Sequence, residues 1–304
     1  MNVPVPTITG YSTQMQNIGK VQNRGMEFIL STNNLVGEFS WSSNFNISFN
    51  KNKVLEVGPD ARPIYGSAAN ANNSFITLPG HPIANFYGYD YMGVFMSQEE
   101  LDANPHLAND KVGDGRYRDV DGNGKLDQND KTIIGNNQPV FTAGFNNTFS
   151  YKNFSLSFLF TGSYGAENFS FWKRMVGIYH GDRNGAIEQL GRWRSNEQPG
   201  DGIHFRPTRT PSGWQRDPSS AWVQDASFLR LRNLTFGYDL DNNLIKNLGL
   251  SGLRLYVTGT NLFTLTNYVG YDPENSSESG LSKGGDYMGY PAARSYIFGV
   301  NVTF

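Results

Sequence analysis

The sequence predicts an all-β protein, an antiparallel transmembrane β-barrel segment of about seven strands from a larger barrel. Three observations carry this expectation. First, Ser295 to Phe304 alternates along its whole length: Tyr296, Phe298, Val300, Val302 and Phe304 share one face, and Ser295, Ile297, Gly299, Asn301 and Thr303 the other, which is the period of a strand with one apolar side. Second, aromatic residues make up 14% of the chain and charged residues 17%, against about 25% charged in an average soluble domain, as expected where an outer face meets hydrocarbon instead of water. Third, the connections between alternating segments sort into short and long by turns, the turn-and-loop asymmetry of membrane barrels.

Taken in order, residues 1–23 are polar, punctuated by Pro and Gly, and read as loop. Alternation begins at Gly25, with Met26, Phe28 and Leu30 opposite Glu27 and Ser31, and a short turn is expected from Asn33 to Gly37. Phe39, Trp41, Phe45, Ile47 and Phe49 then alternate with Ser40, Ser42, Asn44, Asn46, Ser48 and Asn50, completing a hairpin. Residues 51–138 show no sustained alternation apart from an aromatic patch, Phe86 to Phe95, that reads as a short hairpin arm. A second hairpin follows: Phe141, Ala143, Phe145, Phe149 and Tyr151, a two-residue turn at Lys152 and Asn153, then Phe154, Leu156, Phe158 and Phe160. A long loop occupies about 162–226, with a helical turn or two around Gly185 to Arg194. Strands are expected at about 227–239, with Leu234, Phe236 and Tyr238 outward, and at about 252–263, with Leu253, Leu255 and Val257 outward. A third long loop, 264–291, precedes the terminal strand.

Because antiparallel strands reverse direction, the short turns all fall on one rim and the long loops on the other. Tyr151, Phe154, Tyr238 and Phe304 land at the short-turn rim, where an aromatic girdle belongs. Three residues break the pattern: Leu159 and Ile29 fall on the inner face and Asn147 on the lipid face. A soluble sandwich with one buried face also alternates, but has no reason to sort its loops, and it requires Trp41, Phe158 and Phe298 to be buried. Seven strands would leave two open edges, which hydrocarbon does not tolerate.

Several classes are set aside. No run approaches the roughly 18 apolar residues of a membrane helix, and a mean hydropathy of −0.48 fits strands of which half face a polar lumen. Net charge is −2 and the basic residues are scattered, so no nucleic-acid footprint is present. There is no cysteine. The start, Met-Asn-Val-Pro-Val-Pro-Thr, lacks the charged and apolar regions of a signal peptide. Since an exported barrel needs one, the chain is expected to be the C-terminal part of a longer protein, aggregating if expressed without the rest. No enzyme chemistry is expected: His81, His106, His180 and His204 show no ligand spacing, no nucleophile elbow or phosphate loop appears, and Glu99-Glu100 reads as solvated.

One loop has the spacing of a calcium site. Asp119, Asp121, Asn123, Lys125, Asp127 and Asp130 occupy positions 1, 3, 5, 7, 9 and 12 of an EF-hand-type loop, with Gly124 at the sharp turn and Leu126 as its apolar anchor. Lys125 would contribute only its carbonyl, and Asp130 stands where a longer Glu is usual. The bland alternative is a solvated Asp/Asn/Gly turn. Trp172, Trp193, Trp214 and Trp222, with Tyr87, Tyr89 and Tyr91, could stack on a sugar ring or seat a partner protein, and packing within the loops explains them equally well.

Read together, Asn23-Arg-Gly-Met-Glu27, Asp119-Val-Asp-Gly-Asn-Gly-Lys-Leu-Asp127, Asp225-Ala-Ser-Phe-Leu-Arg-Leu-Arg-Asn-Leu-Thr-Phe-Gly-Tyr238, Gly259-Thr-Asn-Leu-Phe263, Gly270-Tyr-Asp-Pro-Glu274 and Tyr290 to Phe304 resemble, in that order, the C-terminal portion of the SusC/RagA family of TonB-dependent outer-membrane transporters. The resemblance implies a 22-stranded barrel in the cell outer membrane, with residues 1–304 as the C-terminal part of its barrel domain and the plug, the TonB box and about fifteen strands lying outside them. It further implies energy from the TonB complex, a SusD-like surface lipoprotein as partner, outer-membrane lipid around the barrel, and an oligosaccharide (glycan) or peptide as cargo. Two other readings stay open: a receptor or adhesin barrel that binds through its loops without transport, and a soluble carbohydrate-binding module.

Overall fold

A computed structural model describes residues 2–4, 10, 13–15, 19–58, 61–68, 71–177, 184–208, 217–241, 245–246, 249–275 and 280–304. Seven strands form one sheet: β1 Lys20–Leu35, β2 Phe39–Glu56, β3 Phe141–Tyr151, β4 Phe154–Tyr164, β5 Phe228–Asp239, β6 Gly252–Thr266 and β7 Ser295–Thr303. Each pairs antiparallel with the next in sequence. All three long connections therefore leave from the same end of the sheet.

Burial across this sheet runs opposite to that of a soluble protein. Phe298 is 81% exposed, Met26, Phe28, Leu30 and Val300 are exposed, and Trp41 and Phe158 are only half-buried. The soluble-core alternative thus fails at all three residues that test it. Cross-strand aromatic pairs line the outer face: Trp41 stacks on Phe149 at 5.7 Å, Phe149 meets Phe158 at 6.0 Å, and Phe45 meets Phe145 edge-on at 6.4 Å. Such pairs are the unit of sheet stabilisation and fix register. At the short-turn rim Phe39 approaches Tyr151 and Phe154 approaches Tyr238, at 6.5 and 4.7 Å.

Several boundaries differ from expectation. The polar start is not all loop, since β1 begins at Lys20 and Asn2–Pro4 pairs with Thr13–Met15. β1 also runs on through Leu35, so the first turn falls at 36–38 instead of beginning at Asn33. At the second turn Lys152 adopts a left-handed φ of 51°. A register shift near Arg232, matched by one at Asn261 and Leu262, restarts the alternation. Leu229 and Leu231 consequently join Leu234 and Phe236 outside, which strict parity hides. Asn147 does fall on the outer face, yet it is 2% exposed. Its Oδ1 accepts hydrogen bonds from Trp41 Nε1 (2.9 Å) and Ser43 Oγ (2.8 Å), which masks one polar group in an apolar surface.

The long connections fold over one end of the sheet as a lid. Residues 51–138, in which alternation fails, hold a four-stranded sheet of Ile64–Ala68, Ala71–Thr77, Asn85–Gly88 and Thr132–Gly135. Tyr91–Val94 pairs with Gly115–Tyr117, so the Phe86–Phe95 patch divides between two sheets. Residues 187–191 form the helical turn expected there. Glu167–Ser170 pairs with Val223–Asp225 and, in parallel, with Gly285–Asp286, stitching the second loop to the third. Phe75, Phe86 and Phe169 are fully buried and lie within 5.4–5.8 Å of one another, making an ordinary water-excluding core.

Candidate functional site

The lid is fastened to the inner wall of the sheet by a buried ion network. Arg230 on β5 is 3% exposed and Asp272 in the third loop 6%. Their Nη2 and Oδ1 lie 2.5 Å apart, and Glu274 reaches both Arg230 and Arg232 at 2.5 Å. Burial by itself would raise the Asp272 carboxyl; hydrogen bonds from Arg230 and from the Ala292 and Glu274 amides outweigh it and hold the group below the ordinary carboxylate range. Nearby, Asn168 Nδ2 donates to the Pro273 carbonyl, Asn137 Nδ2 donates to Asn168 Oδ1, and the Tyr268 hydroxyl meets Asp286. Residues from all three loops therefore converge on one polar knot.

Beside this knot lies a cavity of about 380 Å³, lined by Trp172, Lys173, Glu188, His204, Trp222 and Tyr91 among others. Its size and mixture of aromatic and polar walls suit a small-molecule or oligomer subsite. Burial draws the Lys173 ammonium below its usual range, against the opposing pull of Glu188. His204 Nδ1 sits 2.6 Å from Asp201 Oδ2, and the Tyr91 hydroxyl donates to the Ile203 carbonyl.

Of the tryptophans, Trp172 and Trp222 line this cavity, and Trp222 also belongs to the lid core at 2% exposure. Trp193 packs against that core and closes over Gly113, while Trp214 lies outside the described residues. Tyr89 is buried against Tyr117, and Tyr87 pairs with Tyr65. Lys173, Glu188 and His204 carry no linear signal, since they lie far apart within the second loop and the cavity adds Tyr91 from the first and Val269 from the third. Arg230, Asp272 and Glu274, in contrast, come from two of the segments that carry the family resemblance.

The 119–130 loop closes on itself. Asp119 accepts hydrogen bonds from the Gly122 and Gly124 amides (2.7 and 2.8 Å), and Asp130 from those of Val120 and Asp127 (2.8 and 2.7 Å). Burial would raise the Asp119 carboxyl, but these amide bonds lower it. Carboxylate oxygens of Asp119, Asp121 and Asp130 come within 4.8 Å of one another. Asn123 turns its Oδ1 to the Lys125 amide, and Asp127 caps the Gln128–Asp130 turn. The structure thus gathers the carboxylates of Asp119, Asp121 and Asp130, not that of Asp127, and hard oxygens of this kind are the ligand type that calcium takes.

No protein-family model matches the chain. It is 35% identical over 313 residues to TonB-dependent receptor P3 of Formosa agariphila, covering 99% of this chain and 30% of that protein. Receptor P26 of the same organism is 31% identical over 311 residues, covering 100% and 31%. The TonB-dependent receptor SusC of Bacteroides thetaiotaomicron is 28% identical over 312 residues, covering 100% and 28%. Among solved structures, a chain of the RagAB peptide transporter superposes with a TM-score of 0.79 at 23% identity, over 99% of this chain and 31% of that one. A chain of the RagAB peptide importer in its closed-closed state gives 0.76 at 22%, covering 99% and 32%. At such identities the superposition establishes the fold. The chain spans about a third of the length of the curated relatives it matches, and throughout its own length it is a homologue of proteins named TonB-dependent receptors, SusC among them.

Proposed function

We propose that this chain forms the C-terminal part of the barrel domain of an outer-membrane nutrient importer, driven through the TonB complex by a plug carried elsewhere in the protein. The cargo is an oligosaccharide or a peptide, delivered with a SusD-like surface lipoprotein. The observation that carries this reading is the inverted burial of the seven-stranded sheet beneath a lid that encloses a polar and aromatic cavity. Homology to TonB-dependent receptors supports it. In the intact receptor the protein is expected to fractionate with outer membranes and to need detergent for extraction. Deleting its gene should abolish growth on the cargo as sole nutrient, and Trp172→Ala should weaken growth at limiting cargo. If the purified receptor binds the cargo while uptake is unaffected by deletion, the barrel is a receptor and not an importer.

The 119–130 loop is proposed to hold one calcium ion through Asp119, Asp121, Asn123, the Lys125 carbonyl, Asp127 and Asp130, with the weak affinity, about 10⁻⁴–10⁻³ M, of extracellular sites. Its role there is to stiffen the lid. Calorimetry on the intact receptor should register calcium heat that Asp119→Ala with Asp121→Ala removes; absence of heat from the unmutated protein rejects the site.

A further inference from the structure

We infer that a trough on the outer face of the sheet, beneath the second long loop, holds an acyl chain of a membrane lipid whose headgroup is rich in hydroxyls, such as a glycosyl diacylglycerol. The inference rests on the membrane reading above. The trough, about 580 Å³ in volume, crosses β3, β4 and β5 near their lid ends. Its floor exists because two cross-strand partners are small: Ala143 pairs with Gly162, which pairs in turn with Leu229. Neighbouring outward positions carry Phe145 and Phe160 on one side and the stacked pair Phe141 and Tyr164, 5.4 Å apart, on the other. Missing side chains between aromatic walls leave a slot. Gly162 is held small by its surroundings, since an added Cβ would lie 3.1 Å from the Phe228 carbonyl oxygen.

Position decides what fills the slot. Phe141 opens β3 and Tyr164 closes β4, so the slot begins at the depth where aromatic girdles mark the lipid–water interface and continues into the apolar face. A chain entering from that interface would bury methylenes along the walls, at about 0.8 kcal/mol for each. Its headgroup would stand at the upper rim, where Asp225, Ser227 and Asn267 line the opening and, among the described residues, no Lys or Arg does. Asp225 already accepts from the Ser227 amide at 2.8 Å and retains acceptor capacity. A phosphate there would face a carboxylate without a counter-charge, whereas sugar hydroxyls would donate to it.

The test uses the intact receptor, solubilised in detergent and examined by native mass spectrometry. Titration with a glucosyl diacylglycerol, and in parallel with phosphatidylglycerol of the same chains, gives the bound stoichiometry. The glucosyl lipid is expected to bind at one site at least fivefold more tightly than phosphatidylglycerol. Ala143→Phe, which fills the slot yet keeps the face apolar, should weaken the glucosyl lipid at least fivefold. Val257→Phe, outward on β6 and distant from the trough, should leave binding unchanged and so controls for insertion. Equal or tighter binding of phosphatidylglycerol overturns the headgroup assignment. Unchanged binding in Ala143→Phe, no bound lipid in the unmutated receptor, or a second protein chain in its place overturns the site. Fractionation of the same preparations with outer membranes reports on the membrane reading separately.

Discussion

Phe75 and Phe158 are both phenylalanines on β-strands, but they answer to different solvents. Phe75 is fully buried against Phe86 and Phe169 in the lid, whereas Phe158 stands half-buried on the outer face of β4, touching Phe149 and Phe160. The lid follows the rule of soluble domains, hiding apolar groups from water. The sheet reverses it, because its outer face is apolar and its inner face carries Asn44, Asn46, Thr148, Ser157 and Thr258. One chain thus contains two stability regimes, joined at the Arg230–Asp272 network.

The same truncation in each regime breaks the comparison most directly. Phe75→Ala should destabilise the lid by about 3–5 kcal/mol, since a buried ring leaves a cavity. Phe158→Ala should cost about 1 kcal/mol or less, because lipid tails as apolar as the lost ring fill the space. Denaturant unfolding of the intact receptor in vesicles, with protease sensitivity of the loops as a second readout, measures both. Equal costs would mean that the outer face is packed against protein.

Asp272→Asn attacks the junction. Removing one partner of a buried ion pair costs about 3–5 kcal/mol, and the lower end applies because Glu274 still faces Arg230. The Asp272 carboxyl is depressed, so its contribution is full above the unfolded carboxylate pKa and is lost as pH falls through the lower folded value. Lid protection in hydrogen exchange should therefore fall on acidification in the wild type, with a shallower fall in the variant. If the two profiles coincide, the network does not hold the lid.

A charge sharpens the contrast between faces. Phe158→Lys should cost about 2–4 kcal/mol at mid-bilayer, whereas Ser157→Lys on the lumen side should be tolerated. Folding yield into vesicles, read by the mobility difference between heated and unheated samples, compares them. A lumen penalty as large as the lipid one would contradict the assignment of faces.

These predictions also show what was legible in the sequence. Every sheet strand was readable because one face meets hydrocarbon and the other the lumen, so alternation is written into Phe141–Tyr151 and Ser295–Thr303. The lid strands were not, because Ser74–Thr77 and Asn85–Gly88 are largely buried on both faces and show no period. Leu229 and Leu231 were missed because a register shift at Arg232 exchanges the parity within one strand. The Asp-rich spacing of 119–130 was visible because its acidic residues follow one another within a single loop, but the cavity was not, since Tyr91, Lys173 and Val269 come from three different loops.

The inner face has a packing constraint of its own. Tyr256 pairs directly with Gly299 across β6 and β7, and any Cβ at Gly299 would overlap the Tyr256 ring. The glycine is there so that the ring can lie flat over the neighbouring strand, covering backbone that would otherwise face the lumen. Gly299→Leu must push the ring aside, at an overpacking cost of about 1–3 kcal/mol. Tyr256→Ala should open the space and recover most of that loss in the double variant, whereas Tyr256→Ala alone should weaken the β6–β7 pair modestly. A double-mutant cycle on vesicle-refolded receptor separates the two terms. Additive losses would mean that the ring does not rest on Gly299, and that the last strand is held by its ladder and outer aromatics alone.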